Sequence, residues 1–369
     1  MAKKKAKAKF QDDIVSNQII SKYGDIVEEG TKVLQDLENY NTLSISPALD
    51  LALGGGLREG SVTIMSGDPK TGKTTTALYS AAKAQAEGKT VVYFNTEGRL
   101  TKENFRGIKG LDVEKIKIVQ ATDAQPVVSA ETFLNVLETY IKNTPNFFGI
   151  VDSVSSMVPQ DELDGEIRTG VRNQLPRLNS MFFKRIANDV SRTKAMLVCI
   201  LHNIANTGGS RWAPSKMADG GNMIQFQAGT NMVITHRGKW DETDENGQDV
   251  GQVANWTVKT SAAGGKPNST AVSYIKYGVG IDETRELCEI ANELMFIKKG
   301  GAWYTITCAI ENRTDPDIKS ILKKNDVNED NLEEIEKFFK FQGMAKLSNF
   351  IDSNEKIQKF LYNEIKNVL

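Results

Sequence analysis

The sequence predicts an α/β fold in which a mostly parallel sheet carries helices on both faces, and three observations lead there. Apolar or β-branched runs recur at residues 61–65, 90–95, 116–119, 147–151, 196–201 and 231–235. Stretches of helical character, 74–87, 129–142 and 173–190, lie between most of them. Such alternation is the signature of parallel strands joined by helical crossovers. The third observation is the glycine-rich Gly67-Asp68-Pro69-Lys70-Thr71-Gly72-Lys73-Thr74, which stands just after the first run and opens its helix. With 369 residues the chain can hold one large domain of this kind and smaller appendages.

Taken in order, residues 2–9 (AKKKAKAK) form a basic tail, either a solubilising end or a contact for nucleic acid or an acidic partner. Ile14, Ile19, Ile20, Tyr23, Ile26, Val27, Val33 and Leu34 fall near helical spacing. Residues 10–42 therefore read as one or two helices, a candidate oligomerisation arm that packs on a neighbour. The core begins at residue 43. Residues 61–65 read as a buried strand, and 74–86 as an alanine-rich helix. Residues 256–259 and 271–277 would extend the sheet. After Gly278-Val279-Gly280 the pattern turns to charged helices, the first over 283–298, and 315–369 reads as a small helical domain. The expected organisation is a basic tail (1–9), an N-terminal arm (10–42), a core (43–282) and a C-terminal domain (283–369).

Composition narrows the function. Hydrophobic content of 40% and charged content of 25% are those of an ordinary globular protein. The formal net charge of −1 means that contact with nucleic acid must come from local patches. Cys199, Cys288 and Cys308 are far apart and form no metal-ligand spacing, and two histidines in the chain make a His/Cys zinc site very improbable. Cys199, inside an apolar run, reads as a buried thiol. No apolar stretch reaches membrane-spanning length, and the lysine-rich start leads into an amphipathic segment with no signal-type apolar region. The expectation is a soluble protein of a reducing compartment.

The glycine loop fits G-x-x-x-x-G-K-[ST] at every fixed position. Glycines let the backbone wrap close to phosphate, so that N–H groups and the positive helix end face the anion. Lys73 would reach the β- and γ-phosphates, and the Thr74 hydroxyl would ligate Mg²⁺. Gly67, Asp68, Pro69, Lys70, Thr71, Gly72, Lys73, Thr74 and the following Thr75 form the candidate triphosphate site. The apolar strand ending in Asp152 would place a carboxylate beside that loop to hold Mg²⁺, with a helix N-cap as the alternative. Glu97, at the end of a second strand, reads equally as a general base or as a solvated loop charge. His202 ends a third strand, where a backbone-bonded histidine is the reading its surroundings favour. Residues 161–177 carry Arg168, Arg172 and Arg177 among small and polar residues. Residues 203–221 combine glycines with Arg211, Trp212 and Lys216. A long loop of the second kind is functional or disordered. Cations and one aromatic ring suit single-stranded DNA, whose phosphates and bases they can engage; a solvated insertion without function is the other reading.

These residues resemble the RecA family of DNA strand-exchange recombinases, in its phage UvsX-like and bacterial RecA branch. The likeness runs over residues 43–305 and more weakly beyond. It rests on the order of Leu49-Asp50-Leu51-Ala52-Leu53-Gly54-Gly55-Gly56-Leu57, the glycine loop, Glu97, Asp152-Ser153, Gly165-Glu166-Ile167, His202, Gly220-Gly221-Asn222, Tyr277-Gly278-Val279-Gly280-Ile281 and Gly301-Ala302-Trp303-Tyr304. The resemblance implies a RecA-like ATPase core that binds ATP and Mg²⁺, with Glu97 as catalytic glutamate and Asp152 as the acidic metal ligand. It implies that Phe105, aligned with a one-residue gap, stacks on adenine. It makes His202 the γ-phosphate sensor, where bacterial relatives carry glutamine. Residues 161–177 and 203–221 become the paired DNA loops, Arg177 and Lys184 basic residues of the first, and Trp212 the ring that enters between bases. Lys259 stands for the lysines that reach a neighbour's ATP. Residues 305–341, longer than the bacterial equivalent, favour the phage branch.

The implied function is an ATP-dependent recombinase, a DNA-dependent ATPase that forms helical filaments on single-stranded DNA and pairs it with homologous duplex DNA in recombination, repair and replication. Its expected partners are other copies of itself, a single-stranded-DNA-binding protein and a loading mediator. Its expected location is the cytoplasm of a bacterium or of a phage-infected host. A hexameric helicase or another ATPase on the same core, and an ATP-binding filament scaffold, are the alternatives.

Overall fold

The computed structural model describes residues 13–165, 174–205, 216–218, 222–240, 243 and 246–368. The chain divides into two units, residues 1–41 and 42–369. In the first, α1 (Ile14–Tyr23) begins where the Asp13 side chain accepts from the N–H groups of Val15 and Ser16, and ends at Gly24 with φ 90°. The α2 helix (Gly30–Glu38) follows. Neither helix buries a residue. The basic tail lies outside the described residues.

The second unit opens with β1 (Thr42–Leu43), α3 (Pro47–Leu53) and β2 (Leu57–Arg58). It continues through β3 (Ser61–Gly67), α4 (Lys73–Ala86), β4 (Thr90–Asn95), α5 (Lys102–Arg106), β5 (Lys117–Val119), α6 (Ala130–Asn143) and β6 (Phe147–Asp152). Next come α7 (Gln160–Asp164), α8 (Leu175–Thr193), β7 (Met196–Ala205), β8 (Lys216–Ala218), α9 (Asn222–Gln227) and β9 (Thr230–Lys239). The sheet is completed by β10 (Gly251–Thr260), β11 (Ser269–Lys276) and β12 (Gly280–Ile281). Its order is β12-β11-β10-β9-β3-β7-β6-β4-β5. From β9 to β5 neighbouring strands are parallel, and from β9 to β12 antiparallel.

Helices on both faces explain why β3, β4 and β6 read as continuous apolar runs, since all their positions after the first of β3 and β4 are buried. Successive side chains alternate between two cores. Met65, Val91, Tyr93, Phe148 and Ile200 join α3 and α4 on one face, while Val62, Ile64, Val92, Phe94, Phe147 and Leu197 join α6 and α8 on the other. Alanines 77, 81 and 84 let α4 lie close on the sheet. Each fully buried Leu or Phe contributes roughly 1.5–3 kcal/mol relative to exposure.

The C-terminal part has its own core, from Leu287 to Ile365. Here the structure corrects two expectations. The helix expected over 283–298 is α10 (Glu283–Glu293) and stops early, because Met295 turns into the left-handed region at φ 64° and β13 (Ile297–Gly300) begins. The region is also not purely helical: β13 pairs with β14 (Trp303–Ile306) across a turn at Gly301. After α11 (Thr307–Glu311), α12 (Pro316–Lys324) and α13 (Leu332–Phe338), β15 (Lys340–Gln342) adds to β14. The chain then closes with α14 (Met344–Asp352) and α15 (Glu355–Val368). A third difference concerns residues 203–221. Their described ends are an antiparallel ladder, Asn203 opposite Ala218 and Ala205 opposite Lys216, because β7 runs on beyond His202.

Candidate nucleotide site and DNA-facing residues

Four parallel strands bring the expected site residues to one edge. Gly67, ending β3, is in register with His202 of β7, and Asp152, ending β6, with Asn95 of β4, two residues before Glu97. That carboxyl edge is where open α/β sheets take ligands.

Between β3 and α4 the chain wraps as the glycine pattern requires. Gly67 and Gly72 have φ of 155° and 107°. At its φ of 107° a side chain on Gly72 would be strained, and a Cβ there would stand 2.3 Å from Ile275 Cδ1 and displace it. Thr71 Oγ1 donates to the Asp68 carbonyl at 2.8 Å and pins the loop. Lys73, buried, points its ammonium back into the loop and donates to the carbonyls of Gly67 (2.9 Å) and Asp68 (2.7 Å). Burial pushes this ammonium below its usual range, against the pull of Asp152, Glu97 and Asp68. A buried cation in a glycine loop at the N-terminus of a helix is a receptor for anions.

Beside it, Thr74 Oγ1 donates to Asp152 Oδ2 at 2.7 Å, and Tyr93, which sequence reasoning passed over, donates to the same oxygen at 2.6 Å. Burial raises the Asp152 carboxyl, while the bonds from Tyr93 and Thr74 hold it down. One hydroxyl and one carboxylate beside a phosphate cradle suit Mg²⁺, which takes few protein ligands and fills its octahedron with phosphate and water. Among the described residues no group of three His, Cys, Asp or Glu could hold a metal by itself. The residues present therefore fit a magnesium nucleotide.

The third cluster surrounds Glu97. Its Oε1 accepts from Ser153 Oγ at 2.9 Å and from Ser156 Oγ at 3.1 Å, and it lies against His202 Nε2. Burial works to raise this carboxyl, and the bonds from His202, Ser153 and Ser156 prevail and hold it below its ordinary value. Glu97 is thus no solvated loop charge. The His202 ring faces Glu97, while the backbone N–H of His202 donates to Ser155 Oγ at 3.4 Å. Asn203 Nδ2 reaches Asp68 Oδ1 at 3.4 Å, joining β7 to the glycine loop. The serines after Asp152 and the asparagine after His202 were visible in the sequence as polar residues that follow strand ends.

Other expected residues are more scattered. Phe105 on α5 is half-buried and packs with Leu100 and Leu111 against the first core. Thr75 follows Thr74 on α4. Lys259, exposed, donates to Asn268 Oδ1 at 3.3 Å. It stands at the far end of β10 from Gln252, whose side chain borders Gly72, and so away from its own glycine loop. Arg177 and Lys184 are exposed on α8, seven residues and about two turns apart, hence on one side of the helix. Lys216 opens β8. Arg168, Arg172, Arg211 and Trp212 lie outside the described residues.

A glycine loop between parallel strand and helix, with an acidic strand end two strands away, places the chain in the P-loop class of α/β folds. Comparison with known proteins narrows this. The family described as the RecA N-terminal domain matches residues 13–282. Protein RecA of Gluconacetobacter polyoxogenes is 30% identical over 284 residues, which cover 76% of this chain and 77% of that one. Protein RecA of Streptococcus sanguinis (strain SK36) is 29% identical over 288 residues, 76% of this chain and 72% of the relative. The chain belongs to the RecA family. Among the described residues no helix is long and apolar enough to cross a membrane.

Proposed function

We propose that this chain is an ATP-dependent recombinase that polymerises on single-stranded DNA and catalyses homologous pairing and strand exchange. The observation that carries the reading is the contact between Glu97 and His202. It joins the residue suited to activate water to the strand that leads directly into residues 203–221. Lys73 binds the β- and γ-phosphates, Thr74 and Asp152 hold Mg²⁺, and Phe105 covers the adenine. When bound, the metal neutralises phosphate charge and orients the γ-phosphate for in-line attack. Glu97, kept ionised by three donors, accepts the proton of the attacking water.

A γ-phosphate beside His202 competes for the ring that now faces Glu97, so its presence is passed along β7 to the ladder formed with β8. This is the differential contact that a two-state coupling requires. The loops then order on DNA, with Arg168, Arg172, Arg177, Lys184, Arg211 and Lys216 on phosphates and Trp212 on bases. Lys259, turned away from its own loop, contacts the ATP of a neighbour. Residues 10–42 dock on an adjacent core, so that copies assemble into a helical filament. The partners of the assembly are single-stranded DNA, homologous duplex DNA, a single-stranded-DNA-binding protein and a loading mediator. His202 and the length of residues 305–341 support the UvsX-like branch.

The test is ATP hydrolysis with and without single-stranded DNA, with negative-stain microscopy of the same samples. Strong stimulation with helical filaments is expected; DNA-independent turnover with rings or monomers would overturn the reading. Arg177→Ala should lower the stimulated rate more than the basal one, and deletion of residues 1–40 should leave monomers.

A further inference from the structure

We infer that Tyr93 is a positioning residue for Asp152, a role that rests on the magnesium–nucleotide reading of the site. Tyr93 lies on β4, between β6 and the edge strand β5, and is 1% exposed. Its ring packs in the first core with Met65 and Ile150, yet its hydroxyl runs forward to the site and donates to Asp152 Oδ2 at 2.6 Å. Thr74 donates to that same oxygen at 2.7 Å. Among the described residues Oδ1 accepts no hydrogen bond, so both donors leave one carboxylate oxygen to a further ligand.

The two donors differ in kind. Thr74 belongs to the loop and helix that receive the phosphates, and its own oxygen is a metal ligand. Tyr93 belongs to a strand enclosed on both faces and has no second task at the site. It is therefore the donor that keeps Asp152 in one rotamer whether or not the loop is engaged. Groups of this sort, one step behind a metal ligand, set metal affinity by fixing the ligand's orientation. A phenylalanine would fill the same space without the bond, so the packing does not by itself require a tyrosine.

The experiment is magnesium titration of fluorescent ADP binding to the full-length chain, wild type against Tyr93→Phe, with ADP affinity in EDTA and the unfolding midpoint measured beside it. The magnesium concentration for half-saturation should rise roughly 10-fold in the variant, the lower end of the effect of losing a partner behind a metal ligand. Affinity in EDTA should change less than about twofold, because the phosphate cradle is intact. In the Asp152→Asn background the same substitution should cost less than about twofold, since its effect runs through the carboxylate. Unchanged half-saturation would overturn the inference, and so would equal losses with and without magnesium or an equal cost in both backgrounds. A wild-type chain that binds ADP without any magnesium dependence would instead overturn the underlying reading of the site.

Discussion

Two regions of the second unit bury ionisable groups, and they do so to different ends. At the nucleotide edge Lys73, Asp152 and Glu97 are bonded to hydroxyls and loop carbonyls, with opposite charges close but, among the described residues, Lys73 paired to no carboxylate. Where α3 meets α10, Asp50 and Glu286 are buried as well, but their partners are backbone N–H groups and serine hydroxyls around one helix start. Asp50 Oδ1 accepts from Ile45 N–H at 2.8 Å and Oδ2 from Ser44 Oγ at 2.5 Å. Glu286 Oε2 accepts from Ala48 N–H at 3.0 Å, closing the first turn of α3. Buried charge that a ligand can complete serves binding; buried acid that completes a helix end serves the fold. Substitutions at the edge should thus change activity and leave stability, and those at the junction the reverse.

The largest effect is expected from Lys73→Ala. Removing the cation that faces the phosphates should lower turnover by roughly 10²- to 10³-fold, with an unfolding midpoint close to wild type. A midpoint that falls sharply would show that the lysine also holds the loop through its bonds to Gly67 and Asp68. Next comes Glu97→Gln, which keeps the shape and removes the base. Nucleotide binding should persist while hydrolysis slows by roughly 10²- to 10⁴-fold. Wild-type turnover in that variant would remove Glu97 from its role.

How far the two regions could be read in the sequence follows from what fixes each. The glycine loop was legible because backbone wrapped around phosphate admits few residue types, so that Gly67, Gly72, Lys73 and Thr74 must fall in order. The strands were legible because burial on both faces demands unbroken apolar runs. The pairing of Glu97 with His202 was not, since the two are 105 residues apart and meet only when β4 and β7 are threaded through one sheet. Residues alone favoured a backbone-bonded histidine; the resemblance supplied the role, and the fold supplied the contact. Tyr93 was hidden by its own strand, where an aromatic residue reads as core. The junction left no signal, because Asp50 and Glu286 are 236 residues apart and each looks like an ordinary helix charge. The hairpin at Gly301 was masked by apolar spacing that still suits a helix up to Lys298.

The junction supplies the smaller and pH-dependent predictions. Burial pushes the Glu286 carboxyl from 4.5 to about 8, against the bond from Ala48. A group whose folded-state pKa lies above its unfolded value contributes stability that is whole below the unfolded pKa and lost as pH rises through the folded one. Stability should therefore fall between pH 4.5 and about 8, by on the order of a few kcal/mol. Glu286→Gln, which cannot ionise, should flatten that fall in unfolding midpoints measured from pH 5 to 9; an unchanged slope would assign it to other groups.

Asp50 gives the narrower case. Its carboxyl is raised from 3.8 to about 6 by burial, with Ser44 and Ile45 opposing. Its share of the fall lies between those two values and is nearly complete at neutrality. Asp50→Asn should thus be close to neutral in stability below pH 4, where both residues are uncharged. Above pH 6 its asparagine avoids the buried charge but turns an amide hydrogen toward Ile45 N–H or Ser44. Which effect wins is read from the sign of the midpoint change at pH 7. A gain would mean that the buried anion is the larger cost. A loss would mean that the two donors at this helix entry, the Ile45 N–H and the Ser44 hydroxyl, hold a charged carboxylate well enough to offset its burial, as the donors at the nucleotide edge do for Glu97.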